Sequence, residues 1–77
     1  MVRLEDLRIF VAAADLGGFS AAARELDLTP AVASAALKRL ELSLDTRLFV
    51  RSTRSLRLTG DGERYLEYAR AALSSLQ

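Results

Sequence analysis

The chain has 77 residues, a net charge of +1, and neither cysteine nor histidine. That length allows one small domain, and the lack of thiol and imidazole excludes disulfide staples, thiolate–metal sites and histidine-based acid–base catalysis. No apolar run approaches the roughly 18 to 20 residues of a membrane span, and acidic residues interrupt the N-terminus where a signal peptide would be apolar, so a cytoplasmic protein with no membrane partner is expected.

Leu4, Leu7, Phe10, Val11 and Ala14 recur at helical spacing and predict a first helix from Leu4 to Leu16. Gly17-Gly18 should end it with a residue at positive φ. Phe19 follows, placed to staple the next helix to the core, and Ser20 reads as that helix's N-cap. Ala21, Ala22, Ala23 and Leu26 come after the cap. Ala22 and Ala23 are small enough for two helices to cross closely. Asp27 and Leu28 should break this helix. Thr29 should cap the third, with Pro30 at its first position, where a missing N–H costs nothing. The third helix is expected to run to about Leu44 and to bury Ala33, Leu37, Leu40 and Leu44, with Val32 and Ala36 beside them. Ala31, Ser34, Ala35 and Lys38 are then left outward. Residues 20–41 are a helix-turn-helix candidate whose second helix could enter a DNA major groove.

Periodicity then changes. LFVR at 48–51 and SLRLT at 55–59 alternate apolar and polar residues around a turn at 52–55. Arg51, Arg54 and Arg57 lie on or near this hairpin. A basic hairpin after a helix-turn-helix is a wing; a loop with incidental arginines is the plainer alternative. Charge is unevenly distributed along the chain, and a solvated face with scattered arginines is the plain alternative to a phosphate-facing patch. Residues 1–37 hold three Arg against five acids, net −2, and residues 58–77 two Arg against three acids, net −1. Between them, Lys38, Arg39, Arg47, Arg51, Arg54 and Arg57 face only Glu41 and Asp45, net +4. Such a local excess fits a phosphate-facing patch.

A last helix should start near Thr59, with Asp61 and Glu63 favouring its N-terminal dipole. Leu66, Ala69, Leu73 and Leu76 form one stripe, and Tyr65, Ala69, Ala72 and Leu76 another. This exceeds what a small domain needs to cover a terminal helix, so a dimer seam is expected; packing on its own domain is the alternative. Gln77 carries no Gly or Pro stop, the pattern of a helix cut within its length.

Several segments match a known family in order and spacing: Leu7–Val11 (LRIFV), Gly17–Ala23 (GGFSAAA), Leu26–Thr29 (LDLT), Ser34, Leu37–Glu41 (LKRLE), Arg47–Arg51 (RLFVR) and Leu58–Gly62 (LTGDG). Over essentially all of its length the chain resembles the N-terminal DNA-binding domain of LysR-type transcriptional regulators. The resemblance implies a mostly α fold: a winged helix-turn-helix of three helices and a two-stranded wing over 1–58, then the start of a linker helix over 59–77 that pairs with its twin in a homodimer. It implies a separate C-terminal effector-binding domain outside these residues, where a small-molecule co-inducer would bind; none is expected in this domain. The implied partners are double-stranded promoter DNA and, for a full-length regulator, RNA polymerase.

The family's recognition helix reads roughly Ser-Gln-Pro-Ala-Leu-Ser-Arg, aligned with Thr29 to Ala35. Pro30 stands where Gln is usual and Ala35 where Arg is usual, so two base-reading side chains of the family are replaced. Apolar contacts from Pro30, Ala31 and Ala35 to thymine methyls are expected instead. Arg54 of the wing would enter the minor groove, and Arg51 and Thr29 would hold phosphate. The expected DNA-facing set is Ser20, Thr29, Pro30, Ala31, Ser34, Ala35, Lys38, Arg39, Arg51 and Arg54. The expected seam is Tyr65, Leu66, Ala69, Leu73 and Leu76. Other readings are a molybdate-responsive type of regulator and a helix-turn-helix serving protein association or RNA. An enzyme would have to rely on carboxylates such as Glu25 or Glu41, which read as solvated helix residues.

Overall fold

The computed structural model describes residues 2–51 and 56–76. The chain order is α1 (Leu4–Leu16), α2 (Phe19–Glu25), α3 (Pro30–Leu44), β1 (Phe49–Arg51), β2 (Leu56–Leu58) and α4 (Gly60–Ser74). α1 packs against α2, α3 and α4, so the first helix is the hub of the helical layer. Its buried face is Leu7, Ile9, Phe10 and Ala13; Leu4, expected on the stripe, is 41% exposed.

Local chemistry sets each boundary. Gly17, at φ 78°, ends α1, and its N–H donates to the Ala13 carbonyl at 2.9 Å. Ser20 is not the cap of α2. Gly18 takes that position in extended geometry, no side chain caps the helix, and Ser20 sits exposed inside the first turn. The reason is Phe19, which is drawn into the helix because its ring packs on Phe49 at 6.1 Å. Asp27 supplies the break, at φ 60°, while the Leu28 N–H reaches back to the Ala23 carbonyl at 2.7 Å. Ala22 and Ala23 are fully buried where α2 meets α1 and α3.

Thr29 caps α3, its Oγ1 accepting from the Val32 N–H at 3.2 Å, with Pro30 in the first turn. Ala33, Ala36, Leu37 and Leu40 are buried and Leu44 half-buried. Val32 departs from expectation at 49% exposed. At about 100° per residue it points roughly a quarter turn away from the centre of the buried arc. Asp45, at φ 51°, closes the helix, and the Thr46 N–H bonds the Glu41 carbonyl at 3.1 Å.

β1 and β2 pair antiparallel in the register Phe49↔Leu58, Val50↔Arg57 and Arg51↔Leu56. Phe49 turns inward and stacks edge-on to Phe10 at 5.5 Å. Thr59 then binds three elements together. Its N–H donates to the Leu48 carbonyl at 3.0 Å, its hydroxyl donates to the Arg47 carbonyl at 2.7 Å, and the same oxygen accepts from the Gly62 N–H at 2.8 Å as the N-cap of α4.

Candidate nucleic-acid interface

The outward arc of α3 is the centre of the candidate surface. Pro30, Ala31, Val32, Ala35, Lys38 and Arg39 are exposed and Ser34 is half-buried. The first two turns of that arc are apolar, and cationic side chains begin at Lys38. Thr29 lies at the helix entrance, its oxygen already engaged in capping.

Two cations of the expected set are tied down by buried carboxylates. Arg39 meets Asp6 with two hydrogen bonds, Nε to Oδ2 at 3.0 Å and Nη2 to Oδ1 at 2.8 Å. Asp6 is 1% exposed, and its hydrogen bonds and charge raise the Arg39 guanidinium above its ordinary pKa. The pair welds α1 to the outer edge of α3. Glu41, expected in solvent, is only 7% exposed. Its Oε2 accepts from the backbone N–H groups of Leu48 at 2.8 Å and Phe49 at 3.2 Å, and its Oε1 accepts from Arg51 Nη2 at 3.1 Å. Arg51 also lies over the Phe19 ring, 5.7 Å from its centroid. Arg51, expected as a phosphate contact, thus has its charge answered within the domain and serves to hold the wing against the recognition helix.

The wing's outward pair is Val50 and Arg57, both exposed. Arg47, also exposed, approaches Glu41 only to 3.9 Å. Arg57 and Arg47 were not in the expected set, although their place in the basic segment could have marked them. Arg54 and the rest of the turn at 52–55 lie outside the described residues.

The seam assignment is corrected at one position. Ala69 is fully buried in its own domain, so it has no surface to offer a partner. Tyr65 is half-buried with its ring 5.7 Å from Phe10, and burial raises its hydroxyl pKa. Leu66 and Leu73 are half-buried against the core, while Leu76 is 63% exposed. Leu73 and Leu76 line an open groove of about 500 Å³ with Val11, Leu16 and Leu26. Among the described residues no helix is long and apolar enough to cross a membrane.

A capped helix of fifteen residues, crossed by a shorter one at a tight turn and flanked by a two-stranded hairpin, defines a winged helix-turn-helix. Residues 4–63 match the model of the family described as "Bacterial regulatory helix-turn-helix protein, lysR family". The chain belongs to that family. It is similar to the HTH-type transcriptional regulator PerR of Escherichia coli K12, at 48% identity over 92% of this chain and 24% of the relative. The DNA-binding domain of CbnR, solved in complex with DNA, superposes with a TM-score of 0.94 at 32% identity, covering 96% of this chain and 85% of that one. OxyR of Corynebacterium glutamicum, in its oxidized form, gives 0.95 at 36% identity over 99% of this chain and 23% of that one. The chain spans about a quarter of the length of the curated relatives it matches.

Proposed function

We propose that this domain binds double-stranded DNA sequence-specifically as a homodimer within a bacterial transcriptional regulator. It has no enzymatic role in this reading. α3 lies in the major groove and the wing beside it. The observation that carries the reading is the outward arc of α3, held in place by the Thr29 cap and the Asp6–Arg39 and Glu41 anchors. Lys38 and Arg57 are exposed cations on the recognition helix and the wing strands, and among the described residues neither forms an ion pair. The structural similarity to the DNA-bound CbnR domain supports it.

The test is enrichment of duplexes from a random pool, followed by titration of an enriched and a scrambled duplex at several salt concentrations. Each phosphate neutralised releases counterions, so log affinity falls linearly with log salt. Lys38→Ala is expected to shallow that slope by about one unit per protomer. A flat salt response, or equal affinity for both duplexes, would remove the reading.

Ala35 provides a second check. An arginine at this point of the helix can meet a guanine edge through two hydrogen bonds, worth roughly 1 to 3 kcal/mol of discrimination. Ala35→Arg is therefore expected to raise affinity for duplexes carrying guanine at the facing base pair. A base-substitution series through one half-site, run for both proteins at one salt, reads the effect; an unchanged profile would mean that position 35 does not face the groove.

Dimerisation is proposed through the end of α4, Leu76 just beyond it, and the groove they share with α1 and α2. Leu76→Asp is expected to weaken self-association at least about tenfold, because it places a charge in an apolar contact. Its exposure means the isolated fold should lose no more than about 0.5 kcal/mol. Leu73→Asp should damage both, since Leu73 also packs on the core. Sedimentation of the variants beside the parent checks this, and parent-like association of Leu76→Asp would exclude the seam. Co-inducer binding and contact with RNA polymerase would belong to a full-length regulator.

A further inference from the structure

We infer that the first turns of α3 read the 5-methyl group of pyrimidines in the major groove, with Val32 as the principal contact, and accept thymine and 5-methylcytosine alike. This rests on the DNA-binding reading above and specifies what the recognition helix recognises.

Val32 is large, apolar and 49% exposed in the first turn of α3; the helix's other exposed large apolar side chain, Leu42, lies ten residues further on, near its C-terminal end. Ala31 and Ala35 flank it on the same exposed arc. None of the three has a side-chain donor or acceptor, so none can distinguish bases by hydrogen bonding. The feature an apolar surface can detect in the major groove is the pyrimidine 5-methyl. The contact is also rigid. The Val32 N–H is fixed by the Thr29 cap at 3.2 Å, and a β-branched side chain in a helix keeps essentially one rotamer. Its methyl groups are therefore presented with little entropy left to lose on binding.

Indifference between the two methylated bases follows from the same surface. Thymine and cytosine differ at position 4, an acceptor in one and a donor in the other. Telling them apart needs a polar side chain at that step. Ser34 is half-buried, and Lys38 lies six residues beyond Val32, about 9 Å along the helix axis, where it addresses another part of the site. A 5-methylcytosine–guanine pair should therefore substitute for a thymine–adenine pair opposite Val32, and unmethylated cytosine should not.

The experiment uses the duplex enriched by the parent protein, with each thymine of one half-site replaced in turn by deoxyuridine, by cytosine and by 5-methylcytosine, guanine pairing the last two. Deoxyuridine removes the methyl alone. At the thymine facing Val32, deoxyuridine and cytosine are each expected to weaken binding roughly fourfold, the scale of one buried methyl, and 5-methylcytosine to hold affinity within about twofold. Val32→Ala should flatten this difference while leaving the salt slope and the unfolding midpoint unchanged. Val32→Thr, which keeps the shape, should retain part of it. A flat deoxyuridine series on a duplex that still beats its scrambled control would overturn the inference and leave the DNA-binding reading standing. Equal losses with cytosine and 5-methylcytosine would overturn it in the same way. Failure of the pool to enrich any duplex would overturn both.

Discussion

Replacing Gly62 by alanine is expected to destabilise the domain by about 3 kcal/mol or more. On a helix this substitution ordinarily helps, by roughly 0.5 to 1 kcal/mol, because alanine restricts the unfolded chain and favours helix. Here a Cβ would sit 2.1 Å from the Leu48 carbonyl oxygen, 3.0 Å from its carbon and 3.1 Å from Leu58 Cδ2. Two of those atoms are backbone, and the Leu48 carbonyl also accepts the Thr59 N–H at 3.0 Å. It cannot retreat without loosening the cap of α4. Overpacking of this kind typically costs about 1 to 3 kcal/mol, and backbone displacement adds to it. A domain of this size commands only about 4 to 12 kcal/mol in total. Gly60 is the control. Its added Cβ would meet only the flexible end of Arg64, at 3.9 Å, so Gly60→Ala should be neutral or slightly stabilising. Urea unfolding of both variants decides the matter; a parent-like midpoint for Gly62→Ala would show that α4 does not approach Leu48 and β2 as described.

The second large effect is expected at Glu41. Glu41→Ala removes the acceptor for two backbone N–H groups and the charge partner of Arg51. Breaking a buried charge network by removing one partner costs about 3 to 5 kcal/mol, and an unsatisfied buried N–H about 1 to 3 kcal/mol. The loss should be local before it is global. Amide hydrogen exchange at Leu48 and Phe49 should accelerate more than exchange at Leu7 or Phe10, because the carboxylate ties β1 to α3 and leaves α1 alone. Glu41→Gln keeps one acceptor oxygen and should fall between alanine and the parent. Adding Arg51→Ala to Glu41→Ala should recover part of the loss, since the arginine no longer lacks its counter-charge. Unchanged exchange at Leu48 in Glu41→Ala would dismiss the anchoring role.

Much of the helical frame can be read from local signals, because several helix ends carry their own chemistry. Gly17 needs positive φ, Thr29-Pro30 is a cap followed by a first-turn proline, and Thr59 begins α4. The hairpin is legible from alternation, and among the described residues its paired positions are 49–51 and 56–58. Ser20 misled because capping propensity is a local preference, and the packing of Phe19 on Phe49 outweighed it by starting the helix earlier.

The buried carboxylates Asp6 and Glu41 are harder to read from spacing. Their signal was present: Asp6 lies four residues before Phe10 and three before Ile9, and Glu41 lies four after Leu37 and three before Leu44. Each therefore falls within the apolar stripe of its own helix. A charge there is buried, and a buried charge needs partners. What spacing could not supply was the partner, since Arg39 is 33 residues from Asp6 and the Leu48 amide belongs to another element. Ala69 illustrates the converse limit: an apolar stripe on α4 does not say which of its residues α1 covers and which a second copy would cover. Val32 differs for a simpler reason: its hydrophobicity suggests the core while its angle on the helix points away from it.

Whether α3 is the face that meets DNA is decided by mapping backbone amide shifts of the labelled domain as an enriched duplex is added. The largest changes are expected on residues 29–39 and on the wing strands around Val50 and Arg57, while Val11 and Leu26 in the α1–α2 groove should respond only at protein concentrations where the dimer forms. Changes concentrated in that groove on duplex addition, with Ala31, Val32 and Ala35 unmoved, would contradict α3 as that face.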